Sequence, residues 1–392
     1  MRRAFAACSR GLFNFIYKAS SRSGRRANQF VFLSRQAGKP SYDYVELARE
    51  FERRGWNSIM HLKKVTKRNM IPYAIHVVRE VRLLAKSKVA ILDRYDPVVS
   101  LLDLESDHPT NEDELPAECV HREFPRKPVV VQVWHAFGAF KKFGYQSIGT
   151  REGHSSEVLD AFNIHRNYSW VVCSGKGTKE AFAEAFSYPV ERVVSLDRPE
   201  YDELVALRDK NVGDREGGQP EPLRVLMAPT LRKSASSAHP FRDLYESRNH
   251  IEKALGDSVE LCWSFHPLES NLPAPGNVSS ALIDADCLVT DYSSIVYEAY
   301  LLGKPTFFYV PDIRDYEVSP GLNVNPTQTS PGICFYDEQS LIDALKQLAS
   351  ERASCDFGKF DAFAGGAFDG VDRSTGSAAS RLVDFAIGEA SR

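Results

Sequence analysis

The 392-residue chain lacks several features that would assign a protein class directly. No uninterrupted apolar stretch approaches the roughly 20 residues that a membrane-spanning helix requires, so a soluble or peripheral protein is expected. The seven cysteines are scattered, with no Cys-x-x-Cys pair and no close Cys/His grouping, which argues against structural zinc and favours a reducing cytoplasm. The net charge of -3 argues against a general nucleic-acid binder, since such proteins usually present a strongly basic surface.

Two common phosphate-binding motifs are also missing. The chain has no Walker A loop and no Gly-x-Gly-x-x-Gly after a predicted strand. Residues 174–178 read Ser-Gly-Lys-Gly-Thr, which lacks the full spacing, and we interpret them as a strand-to-helix turn. Any phosphate site must therefore be built in another way.

Acidic residues are absent from the N-terminus until Asp43, whereas nine arginines and lysines precede it. Apolar residues alternate with these charges from Phe5 to Tyr17. Residues 1–28 therefore predict a basic amphipathic arm lying on an anionic membrane surface, with a disordered tail as the alternative. A secretory signal is not expected, because Arg10 interrupts the apolar stretch.

Beyond the arm, short apolar runs alternate with longer amphipathic ones, the pattern of a parallel α/β protein. Residues 208–222 contain almost no apolar side chain and are interpreted as a linker. The pattern predicts two Rossmann-like, doubly wound domains, 29–207 and 223–392, with their sheets facing a shared cleft. Predicted strands cover 30–33, 89–92, 129–133, 170–173, 193–196, 224–228, 259–263, 287–290 and 306–310. Predicted helices cover 44–54, 74–85, 178–186, 241–255, 295–302, 340–349 and 378–390.

Histidines follow two of the predicted strands. His135 comes after residues 129–133 and is followed by glycines and the pair Lys141 and Lys142. His266 ends the run Trp-Ser-Phe-His and precedes Pro267. An imidazole can act as a general base near neutral pH, and the second could hydrogen-bond a developing phosphate charge. The alternative for each is a histidine whose hydrogen bonds are satisfied by loop backbone.

A third cluster, Ala-Pro-Thr-Leu-Arg-Lys-Ser, follows the strand 224–228 and contains Thr230 and Arg232. The planar guanidinium of Arg232 suits a phosphate, although a solvated loop residue is the alternative. This cluster belongs to the second predicted domain, as His266 does.

Residues Asp291, Tyr292, Ser293 and Ser294 lie where a predicted strand gives way to a predicted helix. Helix N-termini carry unpaired N–H donors and the positive end of the helix dipole, so the serine pair predicts a phosphate site. Simple N-capping by serine is the alternative. Glu298, one turn further on, could reach nucleotide sugar hydroxyls or remain exposed.

Taken together, these segments resemble the CDP-glycerol glycerophosphotransferase family of teichoic-acid synthesis. The resemblance rests on residues 132–144, on Ala-Pro-Thr-x-Arg at 228–232, on His266-Pro267 and on 291–294 with the downstream Gly303-x-Pro305 and 308–312, and it extends from about 89 to 345. This chain departs from the family at Ala136, where glycine is frequent. It also has Leu-Asp-Arg-Pro-Glu-Tyr-Asp at 196–202 in place of Gly-x-Pro-Arg-x-Asp.

The resemblance implies a two-domain GT-B architecture and a bacterial transferase that joins polyol phosphates. The implied donor is CDP-glycerol or a similar CDP-polyol, and the acceptor hydroxyl belongs to a lipid-linked or glycan molecule. His135 and His266 are then the catalytic residues, with His135 as the base. Donor contacts are assigned to Thr230, Arg232, Asp291, Tyr292, Ser293, Ser294, Glu298 and Lys142.

The resemblance also implies a cytoplasmic protein at the inner face of the cell membrane. No carboxylate cluster indicates a metal site, so no tightly bound cofactor is expected, with Mg²⁺ accompanying the donor as an alternative. Two other functions remain open, because fold alone does not decide chemistry. They are a GT-B glycosyltransferase that uses a nucleotide sugar and a membrane-associated binding module without catalysis.

Overall fold

The computed structural model describes residues 2–22, 26–35, 38–64, 70–104, 127–150, 153, 155–213, 222–232, 239–266, 269, 272–273, 278–351 and 358–392. Within these ranges the chain forms two parallel sheets covered by helices, as the alternating pattern predicts.

The first sheet has six strands: β1 (Ala27–Ser34), β2 (Asn57–Leu62), β3 (Ser87–Leu92), β4 (Val129–Gln132), β5 (Trp170–Cys173) and β6 (Val193–Ser195). All pairs are parallel and the order is β2-β1-β3-β4-β5-β6. Both faces are buried, since Phe30 and Phe32 belong to one apolar cluster and Val31 and Leu33 to another. Sequence patterning missed β2, an edge strand that mixes polar and apolar residues without alternation.

The second sheet has five parallel strands: β7 (Leu223–Met227), β8 (Val259–Trp263), β9 (Cys287–Thr290), β10 (Thr306–Tyr309) and β11 (Cys334–Phe335). Their order is β11-β10-β9-β7-β8. The predicted strands 259–263 and 287–290 match β8 and β9 at both ends. The two-residue β11 was missed because it is too short to show a pattern.

Helices connect the strands. They are α1 (Arg2–Ser21), α2 (Tyr42–Arg53), α3 (Met70–Lys86), α4 (Pro97–Leu101), α5 (Ser156–Phe162), α6 (Lys179–Phe186), α7 (Glu200–Gly213), α8 (Pro240–Glu246), α9 (Arg248–Leu255), α10 (Val278–Asp284), α11 (Ile295–Leu301), α12 (Ile313–Val318), α13 (Pro326–Thr329), α14 (Glu338–Ser350), α15 (Gly358–Ala364) and α16 (Ala378–Ser391). The single helix predicted over 241–255 is divided at Ser247 into α8 and α9. The predicted linker begins later than expected, because α7 continues to Gly213, and residues 214–221 lie outside the described part.

The predicted basic arm is a helix, α1, that packs on the first domain with one side. Tyr17 lies in an apolar cluster of that domain, and Ala6 on the same side is buried. Asn14 also faces inward, where its side-chain oxygen accepts a hydrogen bond from the Asp103 backbone N–H (2.8 Å). The alternative of a disordered tail is therefore wrong for residues 2–21. Within the described ranges, no helix is both long and apolar enough to cross a bilayer.

The C-terminal helix α16 returns to the first domain. Leu382, Val383 and Ala386 are buried in the cluster that contains Phe30 and Phe51 on one face of the first sheet. Sequence patterning placed the whole of 223–392 in the second domain, but α16 packs on the first. The helix thus links the second domain to the first. Its apolar periodicity predicts a helix but does not indicate the domain on which that helix packs.

Candidate active site

Each sheet has one point at which the strand order reverses, between β1 and β3 in the first sheet and between β7 and β9 in the second. In open α/β sheets, ligands bind outside the carboxyl ends of the strands at such points. Thr230 and Arg232 follow β7, and Asp291 follows β9. Three of the predicted donor-binding residues therefore lie at the switch point of the second sheet.

His135 follows β4 through an unusual turn. Trp134 adopts a left-handed conformation with φ 56°, which is rare for a bulky residue and marks functional sites. Its backbone N–H donates to the side-chain oxygen of the buried Gln132 (2.9 Å), and its ring stacks on Phe143 with 4.9 Å between centroids. This turn fixes the direction of His135, whose side chain is exposed.

The imidazole of His135 is held in the neutral state. Nδ1 lies 3.3 Å from the backbone oxygen of Asp93, so an Nδ1–H donates there and Nε2 carries the lone pair. Desolvation by surrounding protein lowers the pKa of His135 to about 3, and the positive charges of Arg94 and Arg198 lower it further. The ring therefore meets solvent on one side and protein on the others. At neutral pH it is in the form that accepts a proton.

The loop after His135 enters the second domain. Phe137 and Phe140 are buried in the apolar cluster of that domain. Gly138 lies against the ring of Tyr297, where a Cβ would come within 2.2 Å of a ring carbon. The backbone N–H of Lys142 donates to the Gly321 carbonyl (2.9 Å), while its side chain is exposed. His135, the predicted base, is thus carried on a segment that contacts both domains.

His266 follows β8 at a comparable position. The backbone N–H of Ser264 donates to the carbonyl of Met227 on the neighbouring strand β7 (2.9 Å). The His266 side chain is exposed, and its backbone oxygen accepts from Glu269 N–H (2.8 Å). Pro267 lies outside the described residues. Neither predicted catalytic histidine is therefore buried in the core of its domain, and their action on a shared substrate remains a prediction.

Arg232 is buried rather than solvated, so the alternative of an exposed loop residue is wrong. Its Nη2 lies 2.9 Å from both Asp291 Oδ2 and Asp312 Oδ2, and its guanidinium carbon is 4.6 Å from the Tyr316 ring centroid. Nε and Nη1 are buried without a hydrogen-bond partner in the described structure. Two carboxylates hold the cation in place, and two donor nitrogens remain unused.

Asp291 and Tyr292 shape this region from inside. Oδ1 of Asp291 accepts from the backbone N–H groups of Thr230 (2.7 Å) and Tyr292 (2.6 Å), which joins the ends of β7 and β9. The Tyr292 hydroxyl donates to Asp312 (2.9 Å), and its ring stacks on Tyr316 at 3.7 Å. Both residues are almost fully buried. These contacts fit a role of Asp291 and Tyr292 in shaping the turn, and their direct contact with the donor remains a prediction.

The serine pair lies at the start of α11, as predicted. Ser294 is the N-cap residue, yet its side chain makes no capping hydrogen bond. Ser293 Oγ is 3.5 Å from the Ile295 backbone nitrogen, the limit of a hydrogen bond. N-capping therefore does not account for the Ser294 hydroxyl, which is half-buried at the positive end of the helix.

Glu298, on α11, faces the first domain. Burial raises its pKa to about 7, while the charge of Arg198 lowers it and that of Glu200 raises it. Arg198 comes from the segment after β6, so the two residues belong to different domains. The charge of Arg198 thus lowers the pKa of both His135 and Glu298.

The sequence model of the family "CDP-Glycerol:Poly(glycerophosphate) glycerophosphotransferase" matches residues 16–385. The chain belongs to this family. Among curated relatives, a teichoic acid poly(ribitol-phosphate) polymerase of Bacillus spizizenii is 27% identical over 95% of this chain and 58% of its own length. A teichoic acid glycerol-phosphate primase of Bacillus subtilis is 25% identical over 69% of this chain and 68% of its own.

Solved structures confirm the fold of this glycerophosphotransferase-family chain. The wall teichoic acid polymerase TagF superposes with a TM-score of 0.65 at 18% identity, covering 98% of this chain and 93% of that chain. The predicted GT-B architecture is therefore confirmed. The chain spans only about 58% of the length of the ribitol-phosphate polymerase named above.

One departure from the family pattern now has a structural explanation. Asp197 has φ 60°, the left-handed conformation that glycine favours, at the place where the family pattern begins with glycine. Its buried carboxylate is paired with Arg373 (3.0 Å) and Arg381 (2.7 Å). Asp197 thus takes the glycine position of the pattern, and tertiary ion pairs hold the strained backbone.

Arg198 is the residue that sequence reasoning missed. Its side chain is buried and its charge acts on both His135 and Glu298, although its segment was noted only as a departure from the family pattern. The sequence does contain a signal for this residue. The family pattern has arginine after proline, whereas here Glu200 follows Pro199 and Arg198 precedes it.

A second polar cluster lies near the ends of β1 to β3. His61, His76 and Glu80 each offer a ligand atom within 4.8 Å of the others. However, the two imidazole rings stack face to face at 3.6 Å with an interplanar angle of 7°. Their in-plane lone pairs run parallel instead of converging, so this arrangement does not fit a metal ion. The expectation of no bound metal remains a prediction.

Proposed function

We propose that the chain transfers a polyol phosphate from a CDP-activated donor to an acceptor hydroxyl and releases CMP. The observation that carries this proposal is the neutral His135 on the segment that joins the two domains. The acceptor is a lipid-linked or glycan molecule of teichoic acid or a related cell-surface polymer. The relatives named above, which act in teichoic-acid synthesis, support the assignment.

The chemistry proceeds by in-line attack on phosphorus. Nε2 of His135 accepts the proton of the acceptor hydroxyl while its oxygen attacks the phosphorus that bears the polyol. The bond from that phosphorus to the bridging oxygen breaks, and CMP carries away the electron pair. A negatively charged donor bound beside His135 raises the proton affinity of the ring and so opposes the lowering of its pKa by desolvation and by Arg94 and Arg198.

The second domain binds the donor. The unused donors of Arg232 and the hydroxyls of Ser293, Ser294 and Thr230 would hold the diphosphate, and His266 would hydrogen-bond the departing phosphate. The exposed Lys142 supplies a further positive charge from the joining segment. If Mg²⁺ takes part, it arrives with the donor diphosphate.

Glycerol is the polyol that we propose, with ribitol as the competing choice. Curated relatives include both glycerol-phosphate and ribitol-phosphate enzymes at similar identity. The experiment is to incubate the protein with CDP-glycerol, CDP-ribitol or a UDP-sugar and a teichoic-acid primer. Release of CMP that depends on primer supports the proposal. Release of UDP alone would instead assign a glycosyltransferase, and no release from any donor would favour a binding module.

The His135→Ala variant tests the base in the same assay. It should reduce turnover by about 100-fold or more, since positioned acid–base groups contribute on the order of 10²–10⁴-fold. The exposed His250 on α9 offers a matched control, and His250→Ala should keep full activity.

We also propose that the protein works in the cytoplasm at the inner face of the membrane. The helix α1 buries one side in the first domain and exposes Phe5, Leu12 and Phe15 on the other, at 65%, 55% and 72% of their surface. The charged side chains of α1 are all basic, which suits an anionic lipid surface. A lipid-linked acceptor would then reach the site from that surface.

A further inference from the structure

Arg198 is held by its own domain through only part of its guanidinium. Nε donates to Asp43 Oδ2 and Nη2 to Glu200 Oε2, each at 2.9 Å. The guanidinium carbon lies 4.6 Å from the ring centroid of Phe137. Nη1 is buried and has no hydrogen-bond partner anywhere in the described chain. One donor nitrogen of a rigidly held arginine is therefore available.

Glu298 supplies the complementary group from the second domain. Its Oε2 is buried and likewise has no hydrogen-bond partner in the described ranges. Arg198 lies over the ring of Phe137, and the next residue, Gly138, packs on the ring of Tyr297, which directly precedes Glu298. The charges of Arg198, Glu200 and Asp43 also act on the pKa of Glu298. A buried carboxylate oxygen without a hydrogen-bond partner costs free energy. We therefore expect a donor group of a ligand to hydrogen-bond to Glu298 Oε2.

The charges around this pair decide what that group is. Asp43, Glu200 and Glu298 surround the single guanidinium of Arg198, so the space is acidic and would repel a phosphate. A neutral hydroxyl fits instead, because it accepts a hydrogen bond from Arg198 Nη1 and donates one to Glu298 Oε2.

We propose that Arg198 and Glu298 together bind a hydroxyl of the polyol that is transferred. The inference rests on the proposed function and deepens it, because it names the residues that recognise the polyol. The nucleotide ribose is the other source of hydroxyls. The polyol is favoured because the guanidinium carbon of Arg198 lies 4.6 Å from the ring centroid of Phe137, two residues after His135, and His135 acts on the phosphorus that bears the polyol.

Binding measurements with two ligands test the site without an acceptor. Calorimetric titration compares CDP-glycerol with CDP, which lacks the polyol, on the full chain and on Glu298→Ala. The wild-type protein should bind both ligands. The variant should lose roughly 10- to 100-fold in affinity for CDP-glycerol, the loss typical of a hydrogen bond to a charged group, and keep its affinity for CDP. Glu252→Ala, an exposed carboxylate on α9, serves as the matched control and should change neither affinity.

A second variant guards against misfolding. Arg198→Lys keeps the charge that Asp43 and Glu200 require but removes the fork that presents Nη1. It should show the same selective loss for CDP-glycerol, and retained CDP binding demonstrates that the nucleotide site is intact.

Each other result contradicts the proposal. An equal loss of affinity for CDP and CDP-glycerol would assign the pair to the ribose. In that case 2′-deoxy-CDP should bind more weakly than CDP to the wild type, and the variants should show no such difference. Unchanged affinities in both variants would remove the pair from the site. If the wild type binds neither ligand, the proposed donor itself is wrong, and this outcome is distinct from a failure of the polyol site alone.

Discussion

Gly138 of the first domain and Tyr297 of the second are packed so closely that no side chain fits between them. A Cβ on Gly138 would lie 2.2, 2.4 and 2.6 Å from three ring carbons of Tyr297. The loop that carries His135 is therefore seated on α11, the helix that also carries Glu298.

The first prediction concerns that contact. Gly138→Ala should lower the free energy of unfolding by about 1–3 kcal/mol, since overpacking displaces either the loop or the ring. Turnover should fall as well, because His135 lies three residues away on the same loop. Thermal denaturation and CMP release measure the two effects. Gly388→Ala, in α16 with open space around it, should leave both unchanged or be slightly stabilising, and an equal effect of the two variants would contradict the role of the contact.

The second prediction concerns the junction of β7 and β9. Asp291→Ala removes the acceptor for two backbone N–H groups and one of the two carboxylates that hold the buried Arg232. It should cost about 3–5 kcal/mol, the range for breaking a buried ion pair. Asp384→Ala removes a carboxylate from a largely exposed pair with Arg54 and should cost at most about 1 kcal/mol. Urea denaturation of both variants measures the difference, and similar losses would contradict the structural role of Asp291.

The third prediction concerns the pH dependence of stability. The pKa of His135 is lowered to about 3 in the folded state, so the unfolded chain takes up this proton first as pH falls. The contribution of His135 to stability is therefore complete above about pH 6.5 and is lost progressively below it. His135→Gln should lose less stability than the wild type between pH 6.5 and 4. Parallel curves for the two proteins in that window would show that His135 is not desolvated.

Glu298 should give the opposite dependence. Its pKa is raised to about 7, so folding disfavours its ionised form, and stability decreases as pH rises from about 4.5 to 7. Glu298→Gln removes this decrease. Denaturation at pH 5 and pH 7.5 measures it, and a variant whose stability falls as steeply as that of the wild type would contradict the burial of this carboxyl group.

The fifth prediction concerns the exposed face of α1. Replacing Phe5, Leu12 and Phe15 together by serine leaves the inward residues Asn14 and Tyr17 in place, so the fold should be kept. Sedimentation with vesicles that contain an anionic phospholipid should show weaker binding by this variant. Deleting residues 1–26 is a poorer test because it also removes the buried side of the helix. Unchanged vesicle binding by the triple variant would exclude this face as the membrane contact.

The apolar pattern determined most of the fold. Buried parallel strands such as β5, β8 and β9 are continuous apolar runs, and their ends could be read from the chain. Strand ends also placed His135, His266 and Thr230, because residues that follow parallel strands meet at one edge of a sheet. The strands missed by patterning, β2 and β11, lie at sheet edges where the pattern is weak.

Side-chain partners could not be read from the chain, because they come from distant segments. Arg198 lies 155 residues from Asp43 and belongs to a different domain from Glu298, yet these contacts decide which of its nitrogens remains available. The position of α16 on the first sheet and the burial of Phe137 in the second domain likewise depend on how the domains meet. Local composition and spacing therefore determined the elements and the sheet edges at which the candidate site residues lie. Only the tertiary structure decided which polar groups there are paired and which remain without a partner, since desolvation and ion pairing depend on neighbours in space.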